Sequence, residues 1–286
     1  MTVGVRLATT RNLLKLWLML AVFAAPPTLT GAVALGWNAA ILFLFAAALT
    51  ETAVYVYCDR FLLTMLGARE LMVAERPGLH SSLERLATGA GVVKPRLYVI
   101  PDSYPRSFSV GRGPTASTIV LSLGLLVAAS PAEIEGLIAH ELTHIRNRDV
   151  AVQTTSVAIA AAIVELTRIG GYLQRGLLFL LAPVAAAIEK IALSPRRELA
   201  ADSNAAALCG SPHGLADALV RLEHASELVS FGASPTTEPL YPINPFADGD
   251  RLARLFDTHP SFPKRLRRLR ELDPLWKEKL LAPPER

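Results

Sequence analysis

The amino-acid sequence predicts a mainly α-helical protein of the α+β class, in which a multi-pass membrane part carries a helical domain with a small β-sheet. Hydrophobic residues make up 51% of the 286 residues and charged residues only 19%, which is too apolar for a typical soluble enzyme. Stretches long enough to cross a bilayer stand at the N-terminus and again in the second half of the chain. Elsewhere, apolar residues recur at helical spacing, interrupted by a few short β-branched segments.

Residues 1–58 are predicted to form an N-terminal membrane hairpin with spans at about 13–35 and 37–57. Lys15 is the only charged residue of the first span, and Glu51 is the only one of the second. Each span is close to the roughly 20 residues that cross the hydrocarbon core. A cleavable signal peptide is the alternative for the first span. The second span follows at once without a convincing cleavage site, which favours the hairpin.

A second apolar pair, at 150–169 and 176–193, is predicted to form another membrane hairpin over residues 150–193, giving four spans. Charged residues inside spans are costly and should face protein, water or lipid headgroups. Those in this pair are Glu165, Arg168, Glu189 and Lys190. The alternative is a soluble helical hairpin, buried in the domain that residues 59–149 and 194–286 are predicted to form.

Positive charges around the first hairpin predict its orientation in the cell membrane. Lys and Arg residues precede the first span and follow the second, whereas the connection between the spans has none. They are Arg6 and Arg11, together with Lys15 in the first turn of the first span, and Arg60 and Arg69 after the second span. The positive-inside tendency therefore places the N-terminus and the domain outside the spans in the cytoplasm. Because the basic residues cluster around spans, the pI of about 9.2 does not indicate nucleic-acid binding.

A metal site is predicted at His140-Glu141-Leu142-Thr143-His144. Ser130-Pro131-Ala132-Glu133 has the pattern of a capping box with proline at the first helical position, so a helix is expected to start there. Histidines four apart project from one helical face, and both imidazoles can therefore reach a single ion. The glutamate between them can hold a proton close to that ion. This arrangement is what metal-assisted hydrolysis needs.

A third ligand must come from elsewhere, because a tetrahedral catalytic zinc takes three protein ligands and a water. Ser194 and Pro195 open a second predicted helix, on which Glu198 and Asp202 lie four residues apart. We expect Glu198 to complete the coordination and Asp202 to accept the free ring N–H of a ligating histidine. The alternative is a solvated helix face on which these acids pair with neighbouring arginines.

Residues 80–88 are predicted as an amphipathic helix, and residues 96–100 and 117–122 as strands. An exposed strand edge near the metal could bind an extended peptide through main-chain hydrogen bonds. The residues expected at that edge are Thr118, Ile119 and Val120. The alternative is an ordinary strand of the core.

Four histidines lie outside the metal motif. His80, His213 and His224 have polar or loop-like neighbours and are predicted to lie on the surface. His259, in Thr258-His259-Pro260, could donate a hydrogen bond to the oxyanion of a tetrahedral intermediate, or could stand in a plain turn. The segment of residues 231–249, rich in proline and polar residues, is predicted to be a loop over the cleft or an inert connection.

Cys58 and Cys209 cannot supply a disulfide framework, which fits a reducing cytoplasmic location. Residues 264–270 are basic with leucines at helical spacing. They could lie on anionic lipid, or they could form a solvated helix that packs its leucines on the domain.

With these motifs the chain resembles the HtpX-type membrane zinc metallopeptidases and, more distantly, the CAAX prenyl endopeptidases. The similarity runs from about Tyr57 to Leu269, with landmarks in the family's order. They lie at residues 59–63, 67–71, 95–103, 108–112, 124–126, 140–149, 198–202, 240–245 and 258–260, with Arg265 at the expected distance. Any one landmark is weak, but the ordered set is specific. The resemblance implies a zincin-like helical catalytic domain.

The resemblance also implies the roles of individual residues. His140, His144 and Glu198 become ligands of one Zn²⁺ per chain, and Glu141 becomes the general base and acid. The remaining assignments are Asp202 as a partner of a ligand, and His259 and Arg265 as helpers near the transition state.

One departure concerns Pro105-Arg106-Ser107-Phe108, where the family has an asparagine-containing P-N-A-F segment. Any role of that asparagine therefore does not carry over to this chain. The membrane peptidases of penicillin-sensing receptors share a similar metal helix, but the Glu198/Asp202 spacing and the Thr258-His259-Pro260 turn fit the HtpX type better.

Together these patterns predict a membrane-bound zinc endopeptidase with its catalytic domain in the cytoplasm. Its expected partners are the lipid bilayer and polypeptide substrates, either membrane proteins or misfolded proteins, as suits quality control. Two alternatives use the same residues without hydrolysis: a zinc-binding membrane sensor or transporter, and a catalytically silent scaffold.

Overall fold

The N-terminal part of the protein is a helical hairpin. In the computed structural model, helix α1 (Val3–Leu35) packs against helix α2 (Trp37–Met65), and the chain turns at Gly36. Gly36 has a φ of 85°, which glycine adopts without a Cβ clash. The structure describes residues 3–169, 187, 195–228 and 260–273. Within these ranges, α2 is the helix whose length and composition would allow it to cross a membrane.

A four-stranded mixed sheet follows the hairpin. Its strands are β1 (Arg69–Glu70), β2 (Arg96–Ile100), β3 (Ser107–Gly113) and β4 (Ala116–Ser122). The spatial order is β1-β2-β4-β3, with β2 and β4 parallel and the two outer pairs antiparallel. The predictions of strands at 96–100 and 117–122 are therefore confirmed, whereas the sequence pattern did not predict β1 and β3.

The prediction that β4 offers a peptide-binding edge is wrong. Both sides of this strand are paired, since Thr118 lies opposite Arg96 on β2 and opposite Val110 on β3. Thr118, Ile119 and Val120 are all buried. A run of β-branched and apolar residues is typical of a central strand covered on both faces, and the core-strand alternative therefore holds.

Seven further helices complete the described fold, so the prediction of a mainly helical α+β protein with a small sheet is confirmed. They are α3 (Pro77–Ala90), α4 (Leu123–Ala128), α5 (Pro131–Asn147), α6 (Asp149–Ile169), α7 (Pro195–Cys209), α8 (His213–Leu228) and α9 (Phe262–Glu271). Helix α3 includes the predicted amphipathic segment, and α5 and α7 are the two helices expected to carry the metal site.

The two faces of the sheet pack against different parts of the chain, because side chains alternate along each strand. On one face, Leu97 and Ile119 join a core with the apolar stripes of α3, α5, α7 and α8. On the other face, Val120 packs with Leu62 of α2 and Val157 of α6. The sheet therefore lies between the helices that carry the predicted metal ligands and the end of the apolar hairpin.

Helices α5 and α6 meet at a sharp junction. Arg148 is left-handed, with a φ of 61°, so the chain ends α5 at Asn147 and starts α6 at Asp149. The first half of α6 is buried against the hairpin and the sheet, including its polar residues Gln153 and Thr154. The four-span prediction stays a prediction, because residues 170–186 and 188–194 lie outside the described ranges.

Four further predictions can be compared with the structure. His80 is buried rather than on the surface, and its Nε2 lies 2.9 Å from the carbonyl oxygen of Leu71, which compensates for the loss of water. His213 and His224 are exposed, as predicted. Leu269 of α9 packs in the core, so the basic segment is a helix docked on the domain. Both cysteines are free thiols.

Candidate active site

Helix α5 presents both histidines of the motif to one point. Its start is fixed by a capping box, in which Ser130 Oγ accepts from the backbone N–H of Glu133 and the Glu133 carboxylate accepts from that of Ser130. One turn separates His140 from His144, and their Nε2 atoms lie 3.1 Å apart. Both rings are almost completely buried, with 2% and 3% of their surface exposed. Two imidazole nitrogens therefore converge in a site shielded from bulk water.

Helix α7 brings the carboxylate of Glu198 to the same point. Its Oε2 lies 3.4 Å from His140 Nε2, and its Oε1 lies 3.6 Å from His144 Nε2. The three ligand atoms lie within 4.8 Å of one another. Nitrogen and oxygen ligands of a tetrahedral zinc stand about 2.0–2.2 Å from the ion, and therefore about 3.3–3.6 Å from each other. The donor set and its spacing therefore fit a divalent metal ion.

The solvated-face alternative for α7 is wrong, because Glu198 and Asp202 are both buried. Arg197 accompanies Glu198 at the site: its Nε donates to Glu198 Oε1 at 3.1 Å, and its other end donates to Gln153 Oε1 of α6 at 3.2 Å. A neighbouring cation offsets part of the cost of burying the carboxylate. Sequence spacing did not predict a contact between Arg197 and Gln153.

Asp202 lies behind His140, on the side away from Glu198. Its Oδ1 is 3.0 Å from His140 Nδ1, although the ring N–H is not well aligned with that oxygen. Arg265 of α9 reaches Asp202 with two hydrogen bonds, Nε to Oδ2 at 2.8 Å and a terminal nitrogen to Oδ1 at 2.6 Å. The structure thus places Asp202 next to a histidine of the motif, as the sequence predicts, and places Arg265 on Asp202.

Asp149 stands behind His144 in the same way. Its Oδ2 lies 3.0 Å from His144 Nδ1. Asp149 is the first residue of α6, five positions after His144, and the chain reaches it through the left-handed residue Arg148. A carboxylate so close in sequence to the motif was a signal that could have been found. Its contact depends on the turn between α5 and α6, which the sequence pattern does not specify.

The carboxylates of Glu198 and Asp202 are held ionised by the charges next to them. Burial alone would raise the pKa of Glu198, but the charges of His144 and Arg197 outweigh it and hold this pKa well below its usual range. Burial opposes ionisation of Asp202 too, yet its ion pair with Arg265 lowers the pKa to about 2. Burial disfavours the charged form of His144, whereas the Glu198 charge and the bond to Asp149 raise its pKa to about 10. The direction of this shift reflects two carboxylates that face the His144 ring, Glu198 and Asp149, and carboxylates in this position favour a cation.

Glu141, between the two histidines, has a partner from the sheet. Its Oε2 accepts a hydrogen bond from Ser109 Oγ of β3 at 2.7 Å. Ser109 is fully buried. This serine was missed by sequence reasoning, because β3 was not predicted and nothing in the motif points to it. His259 and residues 231–249 lie outside the described residues.

Comparisons with known proteins agree with this geometry. Residues 74–273 match the family model described as "Peptidase family M48". The "Protease HtpX homolog" of Pelotomaculum thermopropionicum is 36% identical over 276 residues, covering 90% of this chain and 98% of that protein. The "Protease HtpX homolog" of Acidiphilium cryptum is 38% identical over 279 residues, covering 91% and 96%.

A solved structure is also similar, though loosely. The crystal structure of S. mikatae Ste24p matches with a TM-score of 0.46 and 20% identity, covering 94% of this chain and 66% of that chain. The family model and the relatives show the family of this chain without that structure. The chain belongs to peptidase family M48 and is a membrane-associated metalloprotease of the HtpX type.

Proposed function

We propose that this protein is a zinc-dependent endopeptidase with a multi-pass membrane part, which cleaves membrane or misfolded proteins at the cytoplasmic face. The observation that carries the proposal is the convergence of His140, His144 and Glu198, with Glu141 next to the first of them. Two imidazoles and one carboxylate make up a known ligand set of catalytic zinc, which keeps a further position for water or substrate. Imidazole donors also disfavour magnesium and calcium, which prefer oxygen ligands.

A bound zinc ion would supply Lewis-acid chemistry, polarising the scissile carbonyl and making water more acidic. Glu141 takes a proton from the attacking water and passes it to the leaving amine. Ser109 occupies Oε2 of Glu141, which orients the carboxylate and leaves Oε1 for that proton. Asp202 and Asp149 keep the two imidazoles turned with their Nε2 atoms toward the centre.

We assign Arg265 a positioning role, because its guanidinium forms an ion pair with Asp202 and is fully buried. In the described part of the chain, its link to the metal centre runs through Asp202, which faces His140. For His259 we keep the proposal that it donates to the oxyanion, which rests on the family resemblance.

The membrane location of the substrates is supported by the arrangement of the sheet. Leu62 near the end of α2 packs under the same sheet whose strand β3 carries Ser109. If α2 crosses the bilayer, the active site therefore lies close to the membrane surface. The basic residues that flank the hairpin favour the cytoplasmic side. Segments of membrane proteins or unfolded chains near that surface would reach the site first.

The test uses the full-length protein purified in detergent, a fluorescently labelled unfolded protein as substrate, and zinc content measured by elemental analysis. Glu141→Gln should keep its zinc and lower kcat by about 10²–10⁴-fold, the usual contribution of a positioned base. Glu135→Gln is the matched control, since Glu135 lies on the same helix and pairs with Ser82 and Arg85 away from the site. It should cleave normally.

Normal turnover by Glu141→Gln would rule out the proposed base. The alternatives give different results in the same preparation. A zinc sensor or transporter would show zinc-dependent signalling or flux that survives Glu141→Gln, and no cleavage by the wild type. A silent scaffold would neither cleave nor respond to a chelator.

A further inference from the structure

We propose that Asn12, on the first apolar helix, is a positioning residue of the metal centre. It holds Asp149, Asp149 holds the ring of His144, and the seating of α1 on the domain therefore sets how well His144 can bind the metal. The inference rests on the proposed role of His144 as a ligand.

The contacts run from α1 to the metal motif without a gap. The side-chain nitrogen of Asn12 donates to Asp149 Oδ1 and also to the backbone carbonyl of Asn147 at 3.1 Å. The other oxygen of Asp149 lies 3.0 Å from His144 Nδ1. Asn12 is 135 residues from Asn147 in sequence, yet it is 5% exposed and completes the environment of this carboxylate.

Asn12 sits where the ends of two helices leave polar groups without helical partners. The carbonyl of Asn147 belongs to the last turn of α5, which has no following turn to donate to it. Asp149 starts α6 immediately after the left-handed Arg148. By donating to both groups, the Asn12 amide fixes the junction and the rotamer of Asp149 together. Loss of the amide would leave the buried acceptors unsatisfied, which costs about 1–3 kcal/mol for a buried polar group.

The orientation of Asp149 matters because His144 has one nitrogen on each side of its ring. Since Nδ1 faces Asp149, Nε2 is directed toward His140 and Glu198. Removing such a partner of a metal ligand typically costs 10–100-fold in metal affinity or activity. Asn12 is one hydrogen bond further from the metal than Asp149. Loss of the Asn12 amide should therefore weaken zinc binding by about 3–10-fold, below the range for a direct partner.

A purely mechanical anchor is the competing explanation for a buried asparagine on an apolar helix. Helix α1 contacts both α5 and α6, so Asn12 could hold these helices together without affecting the metal. The two explanations differ in their readout. An anchor changes the stability of the protein, whereas a positioning residue changes zinc affinity and the ligand field, and does so only while Asp149 is present.

The experiment is a double-mutant cycle on the full-length protein in detergent, with Asn12→Leu, Asp149→Asn and their combination. Zinc affinity is measured on the chelator-stripped protein by competition with a chromophoric zinc indicator. The visible absorption of the Co²⁺-loaded protein reports the geometry of the ligands. Thr28→Val is the matched control on α1, because the Thr28 hydroxyl bonds to the carbonyl of Ala24 within its own helix, and the described residues give it no bond to the metal centre.

We expect Asn12→Leu to weaken zinc binding about 3–10-fold and to alter the Co²⁺ spectrum, Asp149→Asn to weaken binding about 10–100-fold, and the combination to match Asp149→Asn alone. Thr28→Val should match the wild type. Unchanged zinc affinity and spectrum in Asn12→Leu, even with a lower melting temperature, would overturn the inference, and so would additive effects of the two substitutions. Asn12→Ser replaces the leucine variant if leucine prevents folding, with the same expectations.

Failure of the proposed function looks different. His144→Ala should abolish tight zinc binding if His144 is a ligand. If His144→Ala binds zinc as tightly as the wild type, the metal centre itself is wrong, whatever Asn12 does.

Discussion

The two histidines of the metal motif are supported from opposite parts of the molecule. His140 contacts Asp202, and the guanidinium of Arg265 from α9 forms a buried ion pair with this aspartate. His144 contacts Asp149, and this aspartate accepts a hydrogen bond from the neutral side-chain amide of Asn12 in the apolar hairpin. Each imidazole thus has a carboxylate next to its Nδ1. The carboxylate of Asp202 is paired with the charge of Arg265, whereas that of Asp149 is bound by an uncharged amide. The first support connects His140 to a helix of the domain that carries the motif, whereas the second connects His144 to helix α1 of the apolar hairpin.

The largest expected effect comes from breaking the charged support. Arg265→Leu leaves the Asp202 carboxylate buried without its cation, and loss of one partner of a buried pair costs about 3–5 kcal/mol. Asn12→Leu removes a neutral donor and should cost about 1–3 kcal/mol. Chemical denaturation of the metal-free proteins measures both. Arg268→Leu is the control on α9, since its pair with Glu271 is exposed, and its stability should match the wild type. Equal losses of unfolding free energy for Arg265→Leu and Asn12→Leu would show that the charged partner stabilises the protein no more than the neutral one.

Zinc affinity measures how much each of the two carboxylates contributes to metal binding by its histidine. Asp202→Asn and Asp149→Asn each remove a carboxylate behind one imidazole, so each should weaken zinc binding about 10–100-fold. Asp202→Asn should also destabilise the metal-free protein more, because it removes the carboxylate charge next to the fully buried guanidinium of Arg265. Competition with a zinc indicator and denaturation of the same samples give both quantities. If either variant binds zinc like the wild type, that carboxylate does not orient its histidine.

The charged support should also depend on pH. The folded pKa of Asp202 is lowered to about 2 by Arg265, so its ion pair stabilises the protein above the ordinary aspartate pKa of about 3.9 and is lost as the pH falls toward 2. The difference in unfolding free energy between wild type and Asp202→Asn should therefore shrink by about 2 kcal/mol over that window. Denaturation of the metal-free proteins at several pH values measures it. A difference that stays constant down to pH 2 would contradict the assigned pair.

The smallest effect is expected at the base, where the support comes from the sheet rather than from a helix. Ser109→Ala removes the donor to Glu141 Oε2 but leaves both supports of the histidines in place. We expect kcat to fall about tenfold, since a hydrogen bond to a charged group contributes about 1.5 kcal/mol, with zinc content unchanged. Steady-state kinetics with elemental analysis checks this. A loss of zinc would show that Ser109 supports the ligands instead.

Local patterns in the sequence were sufficient wherever a feature depends on neighbouring residues. The capping box at Ser130 and the apolar stripe after it predict α5, and helical periodicity then places His140 and His144 on one face. The same reasoning places Glu198 and Asp202 on one side of α7. The β-branched run at 117–122 predicts β4 as a strand.

The sequence patterns did not predict features that depend on which elements of the fold pack together. Whether β4 is an edge or a central strand depends on which strands flank it. Strand β3 was not recognised because Ser107–Gly113 has only two apolar side chains, Phe108 and Val110, among two serines, two glycines and an arginine. His80 was placed on the surface because its neighbours are polar, whereas the structure buries it and places its Nε2 2.9 Å from the carbonyl oxygen of Leu71, nine residues earlier. Family resemblance supplied Arg265, but not the atom that it contacts.

The sequence by itself determined helices α5 and α7, the order of the predicted ligands along the chain and the chemistry of the donor set, because these follow from residue type and a period of 3.6. Only the tertiary structure decided what stands behind each ligand. Asn12 and Arg265 reach the site from opposite ends of the chain, and Ser109 reaches it from a strand, through the packing of whole elements. Hydrogen bonds between residues so far apart carry no periodic signal, so their partners become visible only when the core has brought the elements together.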